Sequence, residues 1–365
     1  MSSTVHRERV PVGLGALTIG AGPAVVIGGP GADARWISLR DRRDGLSAAE
    51  AVAAARARWP GPVLVEPSCA ADLPVIAEGA DGAVAGAAWM RDLALVRAVA
   101  RLGLPVILRR APSATLREWL AAAEDCAAEG NDRVLLCESG DGTARGGLVL
   151  DLALMRAARE LSGRPVLADL GAHLGAGAGL PAGHVAGLEA GSEAASGSGP
   201  EAGCGAGSGG GGGAPAATVH ENGAGREDGP ALAAAAVAAG ADGLLLPPGS
   251  AERDALAVRE AARIIGAVTR QEVPASIPAA REAIDRVDAA LAVLLERRAE
   301  LAMTIQRLKP VGGFAGRDAD RERRLVAEMA RRAPTLGETR LAPIMNAVIE
   351  AGLHLAEERR PPPPN

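Results

Sequence analysis

The chain has 365 residues, 48% of them hydrophobic and 23% charged, with a formal net charge of −5. That is apolar material for one large and one small core, and the acidic balance leaves no general basic footprint for nucleic acid. No apolar run is long enough to span a bilayer, and the start, MSSTVHRERV, lacks a signal-peptide core, so a cytoplasmic protein of two domains is expected, with no membrane partner.

In chain order, residues 1–23 contain VPVGLGALTIGAGP, alternating apolar residues with glycine turns, which predicts a hairpin. From 24 to 268, short β-branched runs (AVVIGG, WISL, PVLVEP, GAVAG, PVILRR, RVLLCE, PVLADL and GLLLPP) alternate with helical patterns such as SAAEAVAAARAR, MRDLALVRAVARL and SATLREWLAAAEDCAAEG. Alternation of strand and helix argues for parallel strands, and eight units argue for a closed (β/α)8 barrel. Between Gly29 and Trp36 there is no room for a crossover helix, so the first barrel unit is expected to be distorted. Residues 175–229 are mostly Gly, Ala, Ser and Glu and cannot bury enough surface to offset their ordering entropy; they read as a flexible insert. Cys69, Cys126, Cys137 and Cys204 have no metal spacing and read as reduced thiols.

The order of these segments resembles the DAHP synthase family, metal-dependent barrels that condense phosphoenolpyruvate with erythrose 4-phosphate. The likeness is best in LPVILRRAPSATLREWLAAAEDCAAEGNDRVLLCESGDGT, followed by LDL, RPVLADLGAH and AAGADGLLL. Where that family places its chemistry, this chain departs from it. The metal-binding Cys of G-P-C is replaced in Gly29, Pro30, Gly31; the His of D-P-S-H meets Ala172, with His173 displaced by one; the Glu of E-V-H meets Pro247, Pro248, Gly249; the last Asp ligand falls at about Val258. The K-P-R-T segment is absent, and Ala88, Ser139 and Gly142 stand where the family has arginines, while Arg109, Arg110 and Glu138 remain. Apolar replacements cannot ligate a divalent ion, so the expectation is no metal, no cofactor and no synthase activity. Arg109 and Arg110 read either as a residual anion site or as a salt-bridged strand end.

After a linker at 269–279, residues 280–359 predict an all-α unit of three helices, and 360–365 a Pro-rich tail. Ile284, Val287, Leu291, Leu294, Leu295, Leu301, Ala302 and Ile305 form one apolar stripe of a long helix, with Arg298 in its middle and Lys309 within roughly 20° of Arg298 at about 100° per residue. Two cations on a face that should be buried are costly unless an anion waits there or their long stems snorkel past the core to solvent. Beyond Gly312, Gly313 and Gly316, DADRERRLVAEM starts a second helix with Asp318, Glu322, Leu325 and Met329 on one face.

Arg281, Asp288, Arg298, Lys309, Asp318, Arg321 and Glu322 resemble in type and spacing the pattern of the all-helical chorismate mutase family. The resemblance implies an intertwined homodimer that rearranges chorismate to prephenate without metal, cofactor or covalent intermediate. It assigns Arg298 to a substrate carboxylate, Lys309 to the ether oxygen and a carboxylate, and Glu322 with Asp318 to the substrate hydroxyl and to orienting cations; Arg321 belongs to the same binding set. Arg281 lies about 100° around the helix from Arg298 and in the family comes from the partner chain. On the third helix the family's hydroxyl residue and its Gln or Glu are replaced by Gly352 and Ala356. The leading expectation is a chorismate mutase on a degenerate DAHP synthase-like barrel. Alternatives are a non-catalytic chorismate or prephenate sensor that docks on a DAHP synthase partner, a bifunctional enzyme, and a mutase or lyase for an amino- or isochorismate.

Overall fold

The computed structural model describes residues 9–40, 42, 44–142, 148–171, 229–309 and 313–358. His173, Cys204, the Pro-rich tail and the expected insert at 175–229 lie outside the described residues, except for Gly229, which is buried at the start of a helix. The chain divides into two compact units, 1–262 and 263–365.

In the first unit, β1 (Val12–Leu14) and β2 (Leu17–Ile19) form the antiparallel hairpin. Eight parallel strands then close into a barrel: β3 (Val25–Gly28), β4 (Ala34–Ser38), β5 (Val63–Glu66), β6 (Gly82–Ala85), β7 (Val106–Arg109), β8 (Val134–Glu138), β11 (Val166–Asp169) and β12 (Gly243–Leu245), with β12 returning to β3. A two-stranded ribbon, β9 (Asp141–Gly142) and β10 (Leu148–Val149), follows β8. Most strands are buried end to end, because a parallel barrel is covered on both faces; this is why they read as unbroken apolar runs. The barrel interior is filled by Ile27, Trp36, Leu64, Val84, Ile107, Leu135, Leu167 and Leu245. The hairpin plugs the end where the strands begin. Leu14 is fully buried there, and a Cβ on Gly82 would lie 2.9 Å from its Cδ1.

Helices α1 (Ala48–Arg58), α2 (Leu73–Gly79), α3 (Leu93–Ala100), α4 (Leu116–Ala128), α5 (Leu152–Ser162), α6 (Gly229–Ala238) and α7 (Glu252–Thr269) connect or follow the strands. Capping boxes at Ser47/Glu50 and Thr115/Glu118 fix where α1 and α4 start. The expected gap in the first unit is present: β3 and β4 share only the pairs Ile27–Ala34 and Gly28–Arg35, so β4 begins where β3 ends and a five-residue link suffices. Asp33 closes that link, its Oδ2 accepting from the Val26 amide at 2.8 Å while its own amide donates to the Val26 carbonyl.

The second unit holds α8 (Ile277–Leu308), capped by Ser276, α9 (Ala319–Arg332), capped by Asp318, and α10 (Gly337–Glu358). At 1.5 Å per residue α8 is about 48 Å long, more than α9 or α10 can cover. In consequence the stripe expected to be buried is open in the single chain: Ile284 is 58% exposed, Leu291 49% and Leu294 59%, and Ala290 is the one α8 residue buried outright. On α10 the apolar stripe is closed at Leu341, Met345, Gly352 and Leu353 but open at Ile344.

Candidate active site

A cavity of about 310 Å³ lies among the three helices of the second unit. It is lined by Arg298, Ile305, Gln306 and Lys309 of α8 and its C-cap, by Gly316 and Arg317 of the connection, by Asp318, Arg321, Glu322 and Leu325 of α9, and by Ile349, Gly352 and Leu353 of α10. Five of the six expected site residues therefore meet in one place. The sixth, Arg281, is exposed on α8, seventeen residues or about 25 Å before Arg298, and does not line this cavity.

Each cation arrives by local logic. Arg298 sits between apolar neighbours on the α8 stripe, half-buried, and its Nη1 donates to the Val348 carbonyl at 3.3 Å. Burial, and then the nearby charge of Arg321, lowers the pKa of its guanidinium below the ordinary arginine value. Lys309 caps α8, and its Nζ donates to the Gly316 carbonyl at 2.6 Å. Asp318 is the α9 N-cap: its Oδ1 accepts from the Arg321 amide at 2.9 Å, and that bond holds the carboxyl below the usual range. Glu322 is gripped by Arg317, with Nε to Oε1 at 3.1 Å and Nη2 to Oε2 at 2.7 Å. The family resemblance assigns Glu322 to the substrate hydroxyl and to orienting cations and gives no role to Arg317, which directly precedes Asp318. The α10 wall offers only apolar groups. A Cβ on Gly352 would sit 3.6 Å from Ala302 Cβ and 4.0 Å from Arg298 Nη1, and Ala356 stands one turn beyond, outside the lining.

Four cations against two carboxylates leave the lining with two net positive charges, which suits a small dianion.

At the C-terminal mouth of the barrel the arginines are already paired. Arg110 is fully buried, its Nε and Nη2 held by both Glu138 oxygens at 2.5 and 2.7 Å; Nη2 and Nη1 reach Asp141 at 2.9 and 3.1 Å, and Nη1 also reaches the Ala114 carbonyl at 2.9 Å. That uses its donors and leaves none for a free anion. Arg109 forms an ion pair with Asp169 and lies 5.7 Å from the Trp36 ring, with its Nε lacking an acceptor. Burial opposes its charge, but Asp169 overrides this and raises its pKa. The indole of Trp36 fills the barrel beneath and donates to the Leu246 carbonyl at 2.5 Å.

Among the described residues, those standing where the barrel family places its metal do not fit one. Among the described residues no three His, Cys, Asp or Glu side chains converge. Gly31 faces the Glu252 backbone and Leu256, Val258 is fully buried, and Asp169 is committed to Arg109 and to the Gly171 amide.

The sequence model of the chorismate mutase type II family matches residues 280–357, and that of the DAHP synthetase I family matches residues 46–177. The chain joins a DAHP synthase class I domain to a chorismate mutase type II domain. Every cavity residue lies within the mutase domain, and both paired arginines lie within the matched part of the synthase-family domain. A phospho-2-dehydro-3-deoxyheptonate aldolase of Thermotoga maritima is 34% identical over 100 residues, which is 27% of this chain and 30% of that protein. The match thus spans under a third of that relative's length. A crystal structure of a DAHP synthase from the same organism is 20% identical with a TM-score of 0.50, covering 79% of this chain and 75% of that one, and it shows the barrel fold alone.

Proposed function

We propose that the mutase domain converts chorismate to prephenate as a homodimer, and that the barrel carries it without acting as a DAHP synthase. The observation that carries this reading is the cavity itself: Arg298, Lys309 and Arg321 converge in a space of about 310 Å³ opposite an apolar wall. Chorismate brings two carboxylates. The rearrangement breaks its ether C–O bond and makes a C–C bond within one molecule, so no proton or redox partner is required. Negative charge grows on the ether oxygen as the bond opens, and a fixed ammonium aimed there, Lys309, is stronger in the transition state than in the ground state. Arg298 and Arg321 hold the carboxylates and fix the folded conformer.

The open α8 stripe supports the dimer. Ile284, Val287, Leu291 and Leu294 are each about half exposed along a face that one chain leaves bare, and a second copy would cover it. Such pairing would also bring Arg281 of the second copy toward a cavity that its own chain's Arg281 cannot reach. The decisive experiment is chorismate turnover by the full chain, with the product identified by NMR because substrate and product are isomers. Prephenate is the expected product; no turnover, or a lyase product, overturns the reading.

For the barrel, the ion-paired arginines and the absence of a converging donor set among the described residues support a scaffold role. The expected result is no DAHP from phosphoenolpyruvate and erythrose 4-phosphate with Mn²⁺ supplied, and no stoichiometric metal after dialysis. Product formation would restore the bifunctional reading.

The α10 wall sets a further expectation. Lys309 is the one donor assigned to the ether oxygen, and Ala356 adds none. Ala356→Gln would place an amide there, and a donor meeting charge that develops mainly in the transition state is worth on the order of 3 kcal/mol, so kcat should rise by up to roughly a hundredfold with KM little changed. Steady-state kinetics alongside a melting curve checks this; a stable variant with unchanged or lower kcat shows that another group serves the oxygen.

A further inference from the structure

We propose that Arg317 is a positioning residue of the mutase site: by clamping Glu322 it stops that carboxylate from neutralising the cations that bind substrate. The inference rests on the mutase reading above and concerns a residue to which the family resemblance gave no role.

Arg317 stands between the short turn Phe314–Gly316 and the Asp318 cap. Its guanidinium makes a two-point fork on Glu322, and the same group reaches Asn346 Oδ1 at 2.7 Å and Glu350 at 3.3 Å on α10. Asn346 Nδ2 donates to Glu350 at 3.0 Å, so the far end of the clamp is itself held. Both oxygens of Glu322 are thereby occupied by a cation whose guanidinium is also held by Asn346 and Glu350 of α10.

The alternative pairing is what makes this matter. Arg298, Lys309 and Arg321 line the same cavity as Glu322, and among the described residues the cationic groups of these three side chains donate to no carboxylate. A carboxylate released by Arg317 would find one of them within a side-chain rotation. Ion pairs that form readily inside a protein compete with the ligand for the same donors. The clamp therefore keeps three cations available for the two substrate carboxylates and the ether oxygen.

The test uses the full chain with Arg317→Gln, Arg317→Ala and Glu350→Gln. In Arg317→Gln, loss of one charged contact to substrate should raise KM roughly 10- to 100-fold, with kcat changed much less. In Arg317→Ala, millimolar guanidinium chloride should restore much of that KM, whereas equal sodium chloride should not. Glu350→Gln loosens only the α10 anchor while leaving the fork on Glu322, so it should lower the melting temperature and raise KM by less than Arg317→Gln does. A purely structural Arg317 would instead give a uniform loss that tracks melting temperature and is not rescued. A crystal structure of Arg317→Gln reads the claim without activity: Glu322 should lie within ion-pair distance of Arg298, Lys309 or Arg321. If it does not, or if KM is unchanged in an active enzyme, the proposal is overturned. If wild type does not turn over chorismate, the mutase reading falls, and the crystal structure alone decides the clamp.

Discussion

Arg298→Ala is expected to lose at least about 1,000-fold in kcat/KM, roughly 4 kcal/mol of transition-state stabilisation, because it removes a preorganised cation from a partly desolvated site. The same substitution should leave the melting temperature unchanged or slightly raised. Arg298 is half-buried, its only described acceptor is a carbonyl 3.3 Å away, and Arg321 repels it; burial and that repulsion both lower its pKa. A charge held without a carboxylate partner is destabilising for the fold, and natural sites retain such groups because function uses them. Most point substitutions lose stability and activity together, so the opposite signs here are diagnostic. The measurement is steady-state kinetics with chorismate beside a thermal unfolding curve at matched concentration. A variant with near-wild-type kcat/KM would mean that the cavity is not the catalytic site. One that fails to fold would mean that the Val348 contact matters more than its length suggests.

The parts legible in the sequence were those fixed by neighbours a few residues away. Barrel strands such as Val63–Glu66 and Val134–Glu138 are buried on both faces and appear as unbroken apolar runs. The helical patterns SAAEAVAAARAR, SATLREWLAAAEDCAAEG and DADRERRLVAEM correspond to α1, α4 and α9. Arg298 stood out because a cation on an apolar stripe needs a reason. What stayed hidden depends on residues far along the chain. Arg317 takes its meaning from Asn346 and Glu350, 29 and 33 residues later, and no local period reports that. Helix α2 has only seven residues, too few for a stripe. The exposed α8 face has the same pattern as a buried one; the pattern says that a face will be covered, not by which chain.

Arg110→Ala should destabilise the barrel by about 3–5 kcal/mol, since it strands a buried carboxylate. Arg110 and Glu138 are both fully buried and share a two-point fork, and the Glu138 Oε1 also accepts from the amides of Gly140 and Asp151. Once Arg110 is gone, Glu138 keeps those amide donors but no compensating charge. Arg110→Met with Glu138→Leu removes both charges while roughly keeping volume, and should recover much of the lost stability, although the two amides then go unpaired. The pair also sets an acid limit. Burial pushes the Asp141 carboxyl up, but the hydrogen bond from Arg110 and the Ser113 amide outweigh it, and its pKa falls below the ordinary 3.8. A depressed carboxylate contributes stability that is present above its unfolded value and lost as pH falls through the folded one. Wild type should therefore lose this part of its stability only below about pH 4, and Arg110→Met with Glu138→Leu should show a shallower acid decline there. Urea unfolding at pH 7 and at pH 3.5 measures both effects. Equal destabilisation in the single and double variants would show that the fork contributes through packing rather than through charge.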